Sequence, residues 1–309
     1  MHARFLGLLT PGNAAAVAVG IMLMISGNFL FAASDALGKF LVAGMSVGQV
    51  VAIRAVGAFI LLAPAAAGQK KKPFRNVERP WTQVLRVIFI TLDTLLFYAA
   101  IVYLPLADVF TFYMAGPIYV AVLSHFFLGE RVGWQRWAAI LVGFSGVIVA
   151  LGPSSASLSM GALLALAGSL SCAFWLVLSK VLQSTSDTTL GIYQATGMLI
   201  GGGALAVFGW VDPTPVEWML LLLLGVIGGL AHLTITRAMK LAPVSLLAPF
   251  QYTLLIWGIV LGYIFFDDVP APRIIIGACI IVLAGLFIVR RKARLNEPIK
   301  PDDLPSSAP

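Results

Sequence analysis

The chain has 309 residues, of which 60% are hydrophobic and only 11% are charged, and its mean hydropathy is +0.98. An ordinary soluble domain carries roughly 25% charged residues, so this composition excludes a soluble globular protein and predicts a membrane protein. The formal net charge of +7 comes from Lys and Arg clustered between apolar stretches. Such clusters determine which loops stay on the cytoplasmic side, and they can contact anionic lipid. No nucleic-acid partner is expected.

Ten membrane-spanning helices are predicted along the chain. Uncharged stretches reach the ~20 residues that cross a bilayer as a helix, and Gly, Pro and charge clusters separate them. The predicted spans are 14–42, 47–67, 82–103, 106–127, 134–151, 160–181, 188–210, 217–238, 244–266 and 272–290. Because the first apolar run leads directly into more apolar chain, we expect it to be retained as a span and not cleaved as a signal peptide.

Lys and Arg concentrate on one side of the predicted bundle, and this asymmetry orients it. Five of them lie between 70 and 79 and more follow 289, whereas the loops near 104–108, 152–159 and 211–217 contain none. Both termini are therefore expected in the cytoplasm. This assigns a cytoplasmic N-terminus to 1–13, a periplasmic linker to 152–159, and a cytoplasmic tail, disordered by its composition, to 291–309.

An internal repeat relates the two halves of the chain. A shift of 138 residues aligns LPLADV at 104–109 with APVSLL at 242–247, and a shift of 141 aligns Lys39 with Lys180. Because each half has an odd number of spans, the halves must face opposite ways in the bilayer. Many secondary transporters use such inverted repeats around a central site. We expect an all-α membrane protein of two inverted five-helix repeats, at 14–151 and 160–290.

The last two spans of each half carry a family resemblance. The run YLPLADVFTFYMAGPIYVAVLSHFFLGERVGWQRWAAILVGFSGVIVAL at 103–151 and its counterpart KLAPVSLLAPFQYTLLIWGIVLGYIFFDDVPAPRIIIGACIIVLAGLFIV at 240–289 resemble the EamA-type halves of the drug/metabolite transporter superfamily. The chain departs from the pattern at 266–268, where FDD replaces the GE that the family often has. The resemblance implies ten helices around a central cavity that opens to one side at a time.

Ionisable side chains inside spans are candidates for function, because burial in hydrocarbon costs at least ~2.5 kcal/mol. Asp35 and Lys39 are four residues apart on one helical face, so each can neutralise the other, although both lie close enough to the outer surface for a structural pair or for snorkelling. Arg54 is expected either to contact Asp35 or to face the cavity as an anion-binding charge. These three residues are a candidate charge pair or gate. Arg86 lies near the inner end of its span and is expected to reach the headgroups.

Two ionisable residues lie deeper in their spans. About ten residues separate Asp93 from each end of its predicted helix. The shift of 138 residues aligns it with Ala231, the neighbour of His232, so Asp93 and His232 occupy nearly equivalent places in the two repeats. Both are candidates to line the cavity, and either group could carry a coupling proton. The alternative is that each is a neutral, hydrogen-bonded residue that fixes helix packing.

Aromatic, amide and hydroxyl groups complete the candidate substrate site. The fourth and ninth spans are repeat equivalents and contain Pro117 and Pro249, which free backbone carbonyls where helices line a cavity or pack on protein. The alternative for the aromatic residues is packing or contact with lipid. The further candidates are Tyr98, Thr111, Tyr113, Trp175, Gln251, Tyr252 and Trp257.

The motifs favour a transporter over other classes. The sequence contains no P-loop, no HExxH motif and no acidic cluster within the membrane, so an enzyme is not expected. Cys172 and Cys279 both lie in apolar runs, so neither a metal nor another cofactor is expected. A channel would present a ring of like groups, and a membrane sensor or structural protein would not need inverted repeats. We expect a monomer or homodimer that moves a small organic molecule.

The cargo is inferred from resemblance. The stretches VGQVVAIRAVGAF at 47–59 and APFQYTLLIWGIVLGYIFF at 248–266 resemble those of bacterial members that include riboflavin transporters. Riboflavin is an uncharged flat ring system with a polyol chain, which suits a site with aromatic faces and few fixed charges. Import or export of an amino acid, S-adenosylmethionine or a drug-like compound stays open.

Overall fold

A computed structural model describes residues 14–68, 79–128, 134–151, 159–182, 184–241, 247 and 250–295. These residues form eleven α-helices joined by short connections, and no strand occurs among them. The helices are α1 (Ala14–Val42), α2 (Val47–Ala67), α3 (Pro80–Tyr103), α4 (Leu106–Tyr113), α5 (Gly116–Leu128), α6 (Trp134–Leu151), α7 (Met160–Val181), α8 (Asp187–Ala206), α9 (Pro215–Leu241), α10 (Thr253–Phe266) and α11 (Pro272–Leu295).

The helices confirm the all-α membrane fold. By length and composition α1, α2, α3, α7 and α9 can each cross a bilayer, and α6, α10 and α11 contain shorter apolar segments. The predicted fourth span, 106–127, consists of two helices, α4 and α5. Ten predicted spans therefore correspond to eleven helices in the part of the chain that the structure describes.

Two helix ends differ from the predictions for local reasons. α9 begins at Pro215 because Thr214 and Glu217 form a capping box: the Thr214 backbone N–H donates to Glu217 Oε2 at 2.7 Å, and the Glu217 N–H donates to Thr214 Oγ1 at 3.3 Å. α11 continues to Leu295, past the predicted end at 290. The start of the predicted tail is therefore helical. Residues 296–309 lie outside the described part.

Helix packing follows the inverted repeat. The first helix of each half packs on the third helix of the other half, so that α1 contacts α9 and α7 contacts α3. The second helices α2 and α8 pack on each other, as do the last helices α6 and α11. A twofold relation between oppositely oriented halves produces this pattern, and the structure thus confirms two inverted five-helix repeats.

Glycines face each other in the two helix pairs that lie on this pseudo-twofold axis, α2 with α8 and α6 with α11. A Cβ atom on Gly48 would lie 2.8 Å from the Gly202 carbonyl oxygen, and one on Gly202 would lie 2.8 Å from the Gly48 oxygen. Gly146 of α6 and Gly277 of α11 have the same relation, at 3.0 and 2.7 Å. Small residues permit this close approach of membrane helices, so a larger side chain would push the two halves apart.

The fourth and ninth spans are broken at equivalent places. A turn at Met114 and Ala115 separates α4 from α5, and a turn at Tyr252 precedes α10. The shift of 138 residues found in the sequence relates Met114 to Tyr252. Irregular backbone at membrane depth is tolerated where protein or a cavity surrounds it, and broken helices at matching positions of two repeats are typical of transporter binding sites.

Candidate functional site

Three polar residues of the first half meet inside the bundle. Arg54 of α2 donates from Nη1 to the Tyr98 hydroxyl of α3 at 2.7 Å, and its guanidinium carbon lies 5.3 Å from the centre of the Tyr98 ring. Asp35 of α1 accepts a hydrogen bond from the Tyr98 hydroxyl and faces the charge of Arg54. Gly38 makes room for this arrangement, because a Cβ atom there would lie 2.1 Å from Tyr98 Cε1.

Asp93 lies in an adjoining group built by both halves. The Tyr113 hydroxyl of α4 donates to Asp93 Oδ1 at 2.8 Å, and Trp175 Nε1 of α7 donates to Oδ2 at 3.0 Å. Arg54 and Asp35 are close enough to act on the charge of Asp93. The two groups therefore form one polar cluster, in which the charge of Arg54 acts on both carboxylates.

A cavity of about 60 Å³ lies beside this cluster, between α1, α2, α8 and α9. Arg54, Gln194 and His232 supply its polar lining, and Phe31 supplies an aromatic face. Arg54 faces the cavity, and its charge also acts on Asp35. His232 lines the cavity directly, whereas Asp93 has Tyr113 and Trp175 as its hydrogen-bond partners.

Lys39 forms an ion pair with Asp268, at the end of α10, and its ammonium lies 4.7 Å from the centre of the Phe266 ring. The predicted pair of Lys39 with Asp35 is therefore wrong. Asp268 lies near the end of the bundle, where two charged groups lose less hydration than they would deeper inside. Asp35, one turn deeper, has Arg54 and Tyr98 as its partners instead.

The expectation that Arg86 reaches the headgroups is also wrong. Its side chain is 1% exposed and donates from Nε to Ser179 Oγ at 2.7 Å and from Nη1 to the Leu190 carbonyl at 3.3 Å. The guanidinium carbon also lies 5.7 Å from the centre of the Trp175 ring. Nearness to a helix end allows snorkelling only on a lipid-facing side, and α7 and α8 cover this side of α3. Arg86 thus contacts the tryptophan that holds Asp93.

The other four predicted site residues have different surroundings. The Thr111 hydroxyl donates to a carbonyl of its own helix at 2.9 Å, and Trp257 packs edge-on against Phe29 with ring centres 5.0 Å apart. Gln251 and Tyr252 lie at the break before α10. Tyr252 Oη and Trp257 Nε1 are buried and lack hydrogen-bond partners among the described residues.

Two amide residues were missed by the sequence analysis. Asn28 of α1 is 4% exposed, and its Nδ2 donates to the Phe250 carbonyl at 2.8 Å and to Thr253 Oγ1 at 3.0 Å, which supports the break in the ninth span. Gln194 lines the cavity. A signal for Gln194 was present, because Ser46 and Ser186 cap the second helix of each half and this register aligns Gln194 with Arg54.

These features define a class of protein. The bundle joins two inverted repeats, breaks two spans at matching positions and buries a charged cluster between the halves. Buried ionisable groups at such a position mark substrate and ion pathways, and inverted repeats with broken helices are the architecture of secondary transporters. The fold and the site therefore define a multi-pass membrane transporter.

The chain belongs to the EamA-like transporter family, which matches residues 18–152 and 159–290. It is 30% identical over 220 residues to a riboflavin transporter of Rhizobium johnstonii, an alignment that covers 70% of this chain and 72% of that protein. It is 26% identical to an S-adenosylmethionine uptake transporter of Rickettsia bellii, over 83% of this chain and 88% of that protein. A solved crystal structure with 19% identity shares the fold, with a TM-score of 0.61 over 92% of this chain and 99% of that one.

Proposed function

We propose that this transporter imports riboflavin into the bacterial cytoplasm. The observation that carries the proposal is the cavity beside Arg54, which joins ring faces to a few polar groups. Phe31 and the His232 imidazole offer faces for a flat ring, and Gln194 and Arg54 offer hydrogen bonds to its carbonyl and hydroxyl groups. The similarity to a riboflavin transporter supports the same cargo.

Transport then requires alternating access, because the cavity is too small in this conformation. Its volume is about 60 Å³, whereas sites for organic ligands of this size occupy roughly 300–1,000 Å³. The Lys39–Asp268 ion pair joins the first helix of one half to the ninth span of the other, so we assign it the role of a gate. Opening this pair would separate the halves and expose Tyr252 Oη and Trp257 Nε1, which have no hydrogen-bond partner in the described part of the chain, to the substrate.

A second cargo is favoured by the charges of the cluster. Asp35 and Asp93 supply two carboxyl groups, and among the described residues Arg54 is the cation whose charge acts on both. In a low-dielectric interior the excess negative charge needs a proton or a cationic ligand. S-adenosylmethionine carries a sulfonium and an ammonium, so it is the alternative cargo, and for riboflavin the same excess charge would be balanced by a coupling proton.

The cargo is tested by expressing the protein in a riboflavin auxotroph that lacks its own importer. We expect growth at micromolar riboflavin, with the empty vector as control, and uptake of labelled riboflavin that excess unlabelled S-adenosylmethionine does not reduce. An uncoupler should reduce the uptake if a proton is coupled. No rescue, despite protein in the inner membrane, would show that the riboflavin assignment is wrong, and accumulation of S-adenosylmethionine would then support the second cargo.

We also propose that both termini are cytoplasmic, because Lys and Arg concentrate in the loops on that side. In a variant without Cys172 and Cys279, a cysteine at Lys71 or Ser306 should be shielded from an impermeant thiol reagent in intact cells, and one at Ser155 should react. These three positions lie outside the described residues, so the test is independent of the structure. Labelling at position 71 in intact cells would invert the orientation.

A further inference from the structure

An apolar groove of about 360 Å³ lies between α4, α10 and α11, apart from the polar cluster. Its walls include Thr111, Leu255, Ala278, Cys279 and Leu283. The Thr111 hydroxyl is bonded to its own helix, so this wall presents only its methyl group. Cys279 is exposed and Leu283 is 68% exposed, which shows that the groove opens on the side of the bundle, where the hydrocarbon of the bilayer lies.

Two residues of opposite charge are the chain neighbours of groove residues. Asp108 follows the groove residue Ala107 in α4, Arg273 precedes the groove residue Ile274 in α11, and the two charges act on each other. Arg273 is exposed. Asp108 Oδ1 is buried and has no hydrogen-bond partner among the described residues. Buried polar atoms in proteins nearly always have a partner, so this oxygen indicates a missing donor.

We propose that the groove binds a phospholipid whose headgroup carries a primary amine. One acyl chain fills the groove, the phosphate contacts Arg273, and the ammonium donates a hydrogen bond to Asp108 Oδ1. Each charged group of the lipid then meets a protein group of opposite charge. An arginine suits a phosphate because its N–H donors are charged and lie in a fixed plane.

The acidic side of the site selects among headgroups. A choline headgroup has the same charge as an ethanolamine headgroup, but it has no N–H donor for Asp108. Lys39 pairs with Asp268, and Arg273 would contact the phosphate, so Asp108 is the charge left to match. A glycerol headgroup has O–H donors but no positive charge for this carboxylate. Ethanolamine therefore fits this end of the groove best. Because α4 belongs to the first half and α10 and α11 to the second, the bound lipid would contact both halves.

Native mass spectrometry of the full-length protein in mild detergent tests the site with dioleoyl phosphatidylethanolamine, phosphatidylcholine and phosphatidylglycerol. We expect the ethanolamine lipid to bind about tenfold more tightly than the choline lipid, because the choline headgroup cannot form the charge-assisted hydrogen bond to Asp108. Asp108→Ala should remove that preference, and Arg273→Gln should weaken both lipids. Cys279→Phe should block the groove, whereas Ile276→Phe, an exposed position of the same helix outside the lining, should not.

Equal binding of the three lipids to the wild-type protein would overturn the proposal, and this comparison holds even where a variant fails to fold. Unchanged binding in Cys279→Phe would place the lipid elsewhere on the protein and would overturn it too. A lipid-free dimer of the wild type that Cys279→Phe converts to monomers would show that a second copy occupies the groove, again contrary to the proposal.

Discussion

Replacing Arg54 by Gln is expected to abolish transport and to lower the yield of folded protein. The charge of Arg54 acts on Asp35 and, less strongly, on Asp93, and its Nη1 donates a 2.7 Å hydrogen bond to Tyr98. Removing one partner of a buried charge pair costs about 3–5 kcal/mol, a large part of the ~5–15 kcal/mol that keeps a protein folded. Uptake per folded molecule and the Tm of the purified protein measure the two effects.

A double variant separates the charge of Arg54 from its other contacts. Adding Asp35→Asn to Arg54→Gln removes one of the two stranded carboxylates, so the Tm should recover while transport stays low. Arg237→Gln, at an exposed position of α9, is the matched control and should behave as wild type. Wild-type stability and uptake in Arg54→Gln would show that Asp35 and Asp93 do not depend on this guanidinium.

The helices and their inverted relation could be predicted from the sequence because local signals determine them. Apolar length fixes a span, and serine caps such as Ser46 and Ser186 fix where the second helix of each half begins. The break in the fourth span was not predicted, since it falls within an apolar run without charges. The repeat offered a signal, because Met114 aligns with the turn at Tyr252.

The partners of the charged residues could not be predicted, because they depend on which distant helices meet. Lys39 pairs with Asp268, which is 229 residues away in the chain, although Asp35 is only one turn away. Arg86 is covered by α7 and α8, and no local pattern in α3 indicates this. The position of Asp93 in the middle of its predicted span identified it as a candidate site residue. Its contacts with Tyr113 and Trp175 depend on the tertiary fold and could not be predicted.

Replacing Asp93 by Asn is expected to reduce transport about tenfold or more while the protein still inserts and folds. The amide cannot carry a negative charge or bind a proton, and a loss of about 1.4 kcal/mol in substrate or proton binding corresponds to a tenfold effect. Uptake should be measured between pH 6 and 8, with protein levels in the membrane as reference. Asp212→Asn, in an exposed loop where Trp210 is the partner, is the control and should retain activity.

This variant distinguishes a mechanistic role from a packing role because the amide can satisfy the same neighbours. Its oxygen can accept from Trp175 Nε1, which only donates, while its NH₂ can donate to the Tyr113 hydroxyl, which also accepts. Packing is therefore preserved, and what the variant removes is the negative charge and the capacity to bind a proton. A drop in uptake at normal Tm would then assign transport to that charge. Full activity across the pH range would leave Asp93 as a residue that only joins α3 to α4 and α7.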